Sequence, residues 1–209
     1  MCIDFETSVL TLTLGTVFNI RNIIKYDNLQ ITAVSLGWQY VLLMQLFDAI
    51  AWKTTNESTY NTFAAKSAFV TNISHPIVVG VLFLALLQND KINKYAGAAI
   101  TIAYTAWAIY KANKINEIKY LNTGTNCDHL VYNWWDDFGK GSAYFYIASV
   151  ILLVLLLLKP FNFALMQAGY ILITLIISTY IYSCGTASMW CWFAAFAPLF
   201  TGLMWTIAK

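Results

Sequence analysis

The sequence predicts an all-α fold, a polytopic bundle of transmembrane helices with seven spans. Hydrophobic residues make up 59% of the 209 residues and charged residues only 11%, and the mean hydropathy is +0.61. Because soluble domains carry about 25% charged residues, this chain has too little polar surface to cover a soluble globule. Its apolar residues also occur in long uninterrupted runs, which favour helices over the alternating strands of a membrane β-barrel.

A helix needs about 20 mainly apolar residues to cross a hydrocarbon core of about 30 Å. Seven segments approach that length, and we predict spans at about residues 5–22, 30–52, 66–87, 95–112, 142–159, 163–183 and 187–207. The first is the weakest, because it contains five Ser/Thr residues and Asn19. The fourth is rich in Gly, Ala and Thr, which suits a helix packed against other helices. Six spans are the alternative to seven.

The whole chain, residues 1–209, is predicted to be one transmembrane domain. Only the 113–141 segment is long enough to build structure outside the bilayer, and its Trp134 and Trp135 fit an interfacial aromatic belt at the start of the fifth span. The lipid bilayer is therefore the expected partner. Since no Lys/Arg cluster marks a nucleic-acid-binding face, no nucleic-acid partner is expected.

Seven spans would put the termini on opposite sides of the membrane, which we call side A for the N-terminus and side B for the C-terminus. Side B packs six Lys/Arg residues into short loops, where the positive-inside rule operates. All four cysteines lie on or near side A, and Asn56 begins a glycosylation sequon there. These features predict a lumenal or extracellular N-terminus and a cytosolic C-terminus.

The cysteines on side A have two interpretations. An oxidising compartment would let them pair, and four cysteines allow three connectivities. We prefer the pair Cys127 and Cys184, because it would tie the long loop to the end of the sixth span. Alternatively, Cys184 and Cys191 are small apolar residues at helix ends.

The second span carries a stripe of residues at helical spacing, namely Trp38, Gln45, Asp48 and Trp52. A carboxylate that faces lipid is disfavoured by about 2.5 kcal/mol or more, so Asp48 is expected to face the bundle or water. Counted from Lys53, Asp48 lies about 7–8 Å below the side-A boundary.

The third span supplies polar residues at a similar expected depth. Asn72 and His75 are three residues apart and share a helix face. Pro76 cannot donate to the carbonyl of Asn72, so the helix is expected to kink there. Together the two spans predict a binding site for a ligand, an ion or a proton that comprises Gln45, Asp48, Trp52, Asn72 and His75. A buried polar contact that only joins the two helices is the alternative.

Other polar and aromatic residues are assigned to packing. We expect Asn19, Gln167 and Tyr170 to form interhelical hydrogen bonds, each worth about 0.6 kcal/mol. Three tryptophans are expected to anchor and pack the helices or, alternatively, to line a pocket, and these are Trp107, Trp190 and Trp192.

The sequence contains no motif that implies a cofactor. One carboxylate and one histidine are too few for a metal site, where three or four ligands are expected. The last span has no internal lysine for a retinal Schiff base, and no phosphate-binding loop or Ser–His–Asp motif is recognisable. We therefore predict no metal, no cofactor and no catalytic residue, and an enzymatic activity is not favoured.

Short motifs are spread over most of the chain. They are Met44-Gln45-Leu46-Phe47-Asp48 followed by Trp52, then Asn61, the pair His75-Pro76 and the run Trp190-Cys191-Trp192. Together they resemble an uncharacterised family of multi-helix membrane proteins encoded by large DNA viruses of protists and algae, with Gln-Pro where this chain has His75-Pro76. This departure counts against an obligatory catalytic histidine. The resemblance implies a viral or host-derived membrane location and no particular activity.

Three classes of function are consistent with these features. The main prediction is a transporter or receptor-like bundle that binds a small molecule, an ion or a lipid around Asp48. The second is a membrane enzyme that modifies lipid, with Asp48 and His75 as acid–base groups. The third is a structural or assembly protein of a viral or organellar membrane. Formation of a homo-oligomer is compatible with all three.

Overall fold

The computed structural model describes residues 4–54, 58–115, 118, 120–122, 130–132, 134, 140–181 and 186–208. Seven α-helices follow one another in this part of the chain, and they are α1 (Phe5–Tyr26), α2 (Leu29–Lys53), α3 (Thr59–Leu86), α4 (Lys91–Ala112), α5 (Lys140–Leu157), α6 (Phe161–Ile181) and α7 (Thr186–Ala208). Between α4 and α5, two short strands pair antiparallel, β1 (Tyr120–Asn122) and β2 (Leu130–Tyr132). The all-α fold class is confirmed.

Three of the described helices are long and apolar enough to cross a membrane. They are Leu29–Lys53, Thr59–Leu86 and Phe161–Tyr180, which lie in α2, α3 and α6. Shorter apolar helical stretches run over Gly141–Leu157 and Trp192–Ala208, in α5 and α7. These helices indicate that the protein associates with a membrane.

Each of the first four helices begins at a side chain that accepts a hydrogen bond from the first turn. The first N–H groups of a helix have no acceptor within it, so such a cap stabilises the helix start. The capping residues and the N–H donors are Asp4 with Thr7 (2.7 Å), Asn28 with Gln30 (2.9 Å), Ser58 with Asn61 (3.0 Å) and Asp90 with Asn93 (2.9 Å).

The start of α3 differs most from the expected boundaries. The helix begins at Thr59, seven residues before the expected span start at residue 66. The cap at Ser58 sets this start, and the first turns bury Asn61, Ala64 and Ala65 in the bundle. The depths of Asn72 and His75 below the side-A end of α3 are therefore greater than the values counted from Lys66.

The seven helices form a closed ring. Each helix contacts the next one along the chain, and α7 contacts α1 to close the ring. Further contacts between α2 and α7 and between α3 and α5 cross its interior. As a result α2 and α3 are buried along most of their length.

Glycines let several of these helices approach closely. A Cβ atom at Gly15 of α1 would lie 2.6 Å from Cδ1 of Leu42 in α2 and 2.9 Å from the carbonyl oxygen of Ala195 in α7. Gly80 of α3 lies against Thr101 of α4 in a similar way. Small residues at such positions are typical of helix packing in membranes, where backbone proximity replaces the hydrophobic effect.

Hydrogen bonds between side chains connect the helices further. Trp38 Nε1 donates to Gln167 Oε1 (3.2 Å), and Gln167 Nε2 donates to Thr201 Oγ1 (3.1 Å), so one amide joins α2, α6 and α7. Asn19 and Tyr170 are also predicted to bond between helices. Asn19 Nδ2 donates to Gln39 Oε1 of α2 (3.0 Å), and the Tyr170 hydroxyl donates to the carbonyl oxygen of Phe193 in α7 (2.7 Å). All three predicted interhelical hydrogen bonds are confirmed.

The described part of the 113–141 segment folds back onto the bundle. Strand β1 contacts α3 and strand β2 contacts α7. Trp134 is 0% exposed, and its ring lies 5.8 Å from the ring of Phe69 in an edge-to-face arrangement. The interfacial position expected for Trp134 is therefore wrong, because the hairpin brings this side chain into the bundle. Trp135 lies outside the described residues.

Candidate functional site

Contacts between α2 and α3 give the relative depth of the predicted site residues. The hydroxyl of Tyr40 lies 2.7 Å from Ser74 Oγ, and a Cβ atom at Gly37 would lie 3.5 Å from Cγ2 of Val79. The two helices are joined by a short connection and run antiparallel. Asp48 is eight residues beyond Tyr40, about 12 Å along α2. Because α3 runs in the opposite direction, the two contacts place Asp48 level with residues 66–68 of α3.

The five predicted site residues therefore lie at two levels. Gln45, Asp48 and Trp52 occupy the side-A half of α2. Asn72 is four to six residues past the level of Asp48, which corresponds to about 6–9 Å, and His75 is about 10–13 Å away along the bundle axis. The sequence estimate placed Asp48 and Asn72 at similar depths because it counted from Lys66 rather than from the true start of α3.

Asp48 lies in a buried polar group near the side-A end of the bundle. Its side chain is 0% exposed, and it is the only carboxylate among the buried side chains that the structure describes. Gln45, one turn deeper, is also 0% exposed, and its Oε1 lies 3.0 Å from Thr11 Oγ1 of α1. By the same register, Asn61 of α3 lies level with the end of α2 near Trp52. We refer to Gln45, Asp48, Trp52 and Asn61 as the Asp48 group.

Several polar atoms of the Asp48 group have no hydrogen-bond partner. They are Gln45 Nε2, Trp52 Nε1 and both Asn61 amide atoms, Oδ1 and Nδ2. Buried polar atoms are nearly always hydrogen-bonded, to protein or to ordered water, so each exception calls for an explanation. By the same register, the buried α3 residues nearest the level of Asp48 and Gln45 are Ala68 and Phe69.

His75 belongs to the deeper level and has a partner on another helix. Its Nδ1 lies 2.6 Å from the hydroxyl oxygen of Tyr146 in α5. The ring of Trp190 in α7 packs against both side chains, with centroids 6.4 Å from His75 and 6.0 Å from Tyr146. The pair is thus held between α3, α5 and α7 inside the bundle.

Two cavities adjoin this pair. The central cavity has a volume of about 30 Å³, and its walls come from α2, α3, α5 and α6. His75, Trp38 and Gln167 line it together with aliphatic residues. The side-A cavity, of about 10 Å³, lies between α3, α4 and α5 and is lined by Asn72, Ile73, Tyr104, Trp107, Ser142, Ala143 and Tyr146. Because His75 lines one cavity and Tyr146 the other, their hydrogen bond lies between the two.

The three tryptophans considered as an alternative pocket occupy different environments. Trp107 lines the side-A cavity. Trp190 packs on His75 and Tyr146. Trp192 contacts Phe193 and Phe196 of its own helix, with centroids 5.2 and 4.9 Å apart. These side chains therefore do not share one pocket.

Sequence reasoning did not single out three of these residues as site residues. Asn61 stands before the predicted start of the third span, although it appears among the motifs of the family resemblance. Tyr146 and Tyr104 are isolated polar groups in apolar segments, and nothing in the local pattern indicates which helix each would face. Within the described residues, no group of three or more His, Cys, Asp and Glu side chains is arranged to hold a metal ion.

Comparison with known proteins gives no relative. No protein-family model, no curated protein and no solved structure matches the chain. The resemblance to viral membrane proteins and the viral membrane location therefore stay predictions. Cys127 and Cys184 lie outside the described residues, so their disulfide bond stays a prediction as well.

Proposed function

We propose that the chain is a multi-pass membrane protein that binds a small polar molecule or an ion at the Asp48 group, as a transporter or receptor-like bundle. All seven helices would cross the membrane in this arrangement. The N-terminus would be lumenal or extracellular and the C-terminus cytosolic.

Exposed aromatic side chains at the helix ends support seven spans. Tyrosine and tryptophan are enriched where a membrane protein crosses the headgroup region. On side A the exposed rings are Tyr60, Tyr110, Tyr144 and Tyr180, and on side B they are Tyr95 and Phe161. Tyr95 and Tyr110 are 15 residues apart in α4, or about 22 Å. The part of α4 between the two tyrosines is therefore long enough to cross most of a hydrocarbon core of about 30 Å.

The outer faces of the less apolar helices also suit lipid. α1 exposes Leu10, Val17 and Ile24, while its polar residues Thr11 and Asn19 are buried in the bundle. α4 similarly exposes isoleucines and buries Thr101 and Tyr104. Contiguous exposed apolar surface of this kind is unusual for a soluble protein. Uncharged polar residues in the middle of α1 and α4, such as Thr11, Asn19 and Thr101, thus face other helices.

The observation that carries the proposed ligand site is the complete burial of Asp48 beside unpartnered polar atoms. Ionisable residues inside membrane helices are disfavoured, and where they occur they usually serve function. Gln45 precedes Asp48 by three residues and Trp52 follows it by four on α2. Gln45 Nε2, Trp52 Nε1 and the Asn61 amide have no hydrogen-bond partner among the described residues. The N–H groups of Gln45, Trp52 and Asn61 can donate hydrogen bonds to a ligand, and the Asn61 amide oxygen and the Asp48 carboxylate can accept them. Such a site suits a small polar molecule or a cation that carries hydrogen-bonding groups.

The relative depth of Asp48 and His75 gives no support to the enzymatic alternative. An acid–base pair has to reach the reacting atoms through hydrogen bonds of about 2.6–3.2 Å or through one water. The two side chains lie at levels about 10–13 Å apart along the bundle, and His75 bonds to Tyr146. We therefore do not propose lipid modification by this pair.

Thermal unfolding of the purified full chain in detergent tests the ligand site. Wild type is compared with Asp48→Asn from pH 5 to 8, with sodium, potassium, choline, amino acids and short-chain phospholipids as probes. The control is Asp27→Asn, an exposed residue with φ 39°, a backbone conformation that asparagine tolerates. A ligand at about 100 times its Kd stabilises by about 2.7 kcal/mol.

We expect one of the probes to shift the Tm of wild type and of Asp27→Asn by several degrees, and to leave Asp48→Asn unshifted. If all three proteins respond alike under every condition, Asp48 is a structural residue and a structural or assembly role replaces this proposal.

A further inference from the structure

We propose that the two cavities are parts of one path for a small uncharged solute through the bundle, and that the hydrogen bond between His75 and Tyr146 closes this path. The path contains no residue of the Asp48 group. It is a second activity, which stands or fails separately from ligand binding at Asp48.

The residues that line the cavities follow one stripe of α5 from side A to side B. Ser142 and Tyr146 line the side-A cavity, and Val150, Val154 and Leu158 line the central cavity. Successive members are four residues apart, so each step turns about 40° around the helix, and the stripe winds from the side-A cavity, which α4 borders, to the central cavity, which α6 borders. From the first to the last the stripe covers 16 residues, or about 24 Å, which is most of a hydrocarbon core of about 30 Å.

The facing helix α3 contributes residues in the same order along the chain, because α3 and α5 both run from the side-A cavity toward the central cavity. Asn72 lines the side-A cavity, and His75, Val79 and Phe83 line the central cavity. Both helices therefore border the same sequence of spaces, and α3 and α5 are in direct contact. The two cavities meet at the level where His75 and Tyr146 form their hydrogen bond.

The hydrogen-bonded pair of His75 and Tyr146 lies between the two cavities and separates them. Each side chain belongs to the wall of a different cavity, and the 2.6 Å hydrogen bond between them closes the space between α3 and α5. Trp190 packs against both rings from α7. Rotation of one of the two side chains would break the hydrogen bond between them and join the cavities.

The size of the cavities limits the solute. A water molecule needs a cavity of about 10–15 Å³ measured in this way. The side-A cavity, at about 10 Å³, is at the lower limit for one water molecule, and the central cavity, at about 30 Å³, has room for one or two. The path therefore suits a solute of the size of one or two water molecules.

The cavity walls determine the charge and polarity of the solute. The side-A cavity offers the amide of Asn72 and the hydroxyl of Tyr104, which is buried without a partner. The carbonyl of Asn72 also lacks its usual helical donor, because Pro76 has no N–H. The central cavity is mostly aliphatic, and the polar atoms of Trp38 and Gln167 bond to each other.

No Asp, Glu, Lys or Arg is among the described residues that line the two cavities. An ion would lose its hydration in the central cavity without a compensating charge, which is strongly unfavourable. An uncharged molecule can exchange water for the polar groups of the side-A cavity and then enter the aliphatic part.

Stopped-flow light scattering on proteoliposomes of the full chain tests the path. The probes are water and formamide, followed by osmotic shrinkage and reswelling, and sodium ions, followed by a fluorescent indicator. Tyr146→Phe removes the hydroxyl that bonds to His75 and keeps the ring. Its matched control is Tyr144→Phe on the lipid-facing side of the same helix, where the side chain is 75% exposed.

We expect Tyr146→Phe to raise the water or formamide permeability at least threefold over wild type, while Tyr144→Phe equals wild type and sodium stays excluded. Adding Val154→Trp, which fills the central cavity, returns the permeability of Tyr146→Phe to that of protein-free liposomes. Leu152→Trp, on the exposed side of α5, is the control for this substitution and leaves the increase intact.

Two results would overturn the path. One is a Tyr146→Phe protein that folds, as judged by a monodisperse elution profile, yet has the water and formamide permeability of protein-free liposomes. The other is an increase that Val154→Trp does not reverse, or that extends to sodium. Neither result would contradict ligand binding at Asp48, because that binding is tested separately by thermal unfolding in detergent.

Discussion

His75 Nδ1 of α3 and the hydroxyl oxygen of Tyr146 in α5 lie 2.6 Å apart, although the two residues are 71 positions apart in the chain. This hydrogen bond joins α3 and α5 across the interior of the bundle. Its geometry depends on the ring arrangement of the helices, which brings α3 and α5 together over the side-A cavity.

Removing this hydrogen bond is expected to destabilise the fold measurably. Tyr146→Phe leaves a buried histidine nitrogen without its partner, and such a loss costs about 1–3 kcal/mol. Thermal unfolding in detergent should give a lower Tm for Tyr146→Phe than for wild type. Tyr144→Phe, which removes an exposed hydroxyl two residues earlier, should leave the Tm unchanged. Equal Tm values for both variants would mean that the hydrogen bond contributes nothing to stability.

The helices themselves could be predicted from the sequence, because apolar runs of membrane length dominate it. α5 illustrates this, since the run from Tyr146 to Leu158 contains only one polar residue besides the tyrosine, Ser149. The start of α3 could not be placed as well. Its first turns carry Asn61, Thr62 and Lys66, which look like a loop until the cap at Ser58 and the burial of Asn61 are known.

The site was harder to predict than the helices, because it depends on register and on which helices are neighbours. The periodicity of α2 correctly indicates that Gln45 and Asp48 face inward, and both are fully buried. It carries no information about their level relative to His75. That level depends on contacts such as the one between Tyr40 and Ser74.

Close packing at Gly15 predicts that even a methyl group is harmful there. Gly15→Ala places a Cβ 2.9 Å from the backbone oxygen of Ala195, which cannot move without shifting α7. Such overpacking typically costs about 1–3 kcal/mol. The matched control is Gly169→Ala within α6, where a Cβ meets nothing within 4 Å. We expect a lower Tm for the first variant only, and a Tm for Gly15→Ala equal to that of the control would contradict the close contact of α1 and α7.

The hydrogen bond from Trp38 to Gln167 predicts energetic coupling between α2 and α6. A double-mutant cycle with Trp38→Phe and Gln167→Met, measured by unfolding in detergent, should give a coupling of about 0.6 kcal/mol, with about 1.7 kcal/mol as an upper bound. A second cycle that pairs Gln167→Met with Tyr40→Phe is the control, since the Tyr40 hydroxyl contacts Ser74 instead. Equal coupling in both cycles would argue against a direct interaction.

The cap of α1 predicts a pH dependence in acid. The hydrogen bond from the Thr7 N–H holds the pKa of Asp4 below its usual value. Because the folded-state pKa is the lower one, the ionised cap stabilises the fold above the unfolded-state value of about 3.9. This contribution is lost as the pH falls through the folded-state pKa.

Asp4→Asn keeps a capping side chain and removes the titration. We therefore expect the difference in Tm between wild type and Asp4→Asn to change as the pH is lowered from 5 to 3, with wild type losing stability relative to the variant. A difference that is constant over this range would show that ionisation of Asp4 has no influence on folding.

Seven spans predict that the two termini lie on opposite sides of the membrane. A green fluorescent protein fused after Lys209 should fluoresce and be digested by protease added to the cytosolic face, because side B carries the exposed Arg21, Lys25, Lys91, Lys94 and Lys159 in and near short loops. An epitope tag before Met1 should be protected under the same conditions and become accessible only after detergent is added. Digestion of both tags without detergent would place the termini on one side, which requires an even number of spans. In that case α1 or α4, whose hydropathy is lower than that of α2 and α3, would lie in the interface instead of crossing the bilayer.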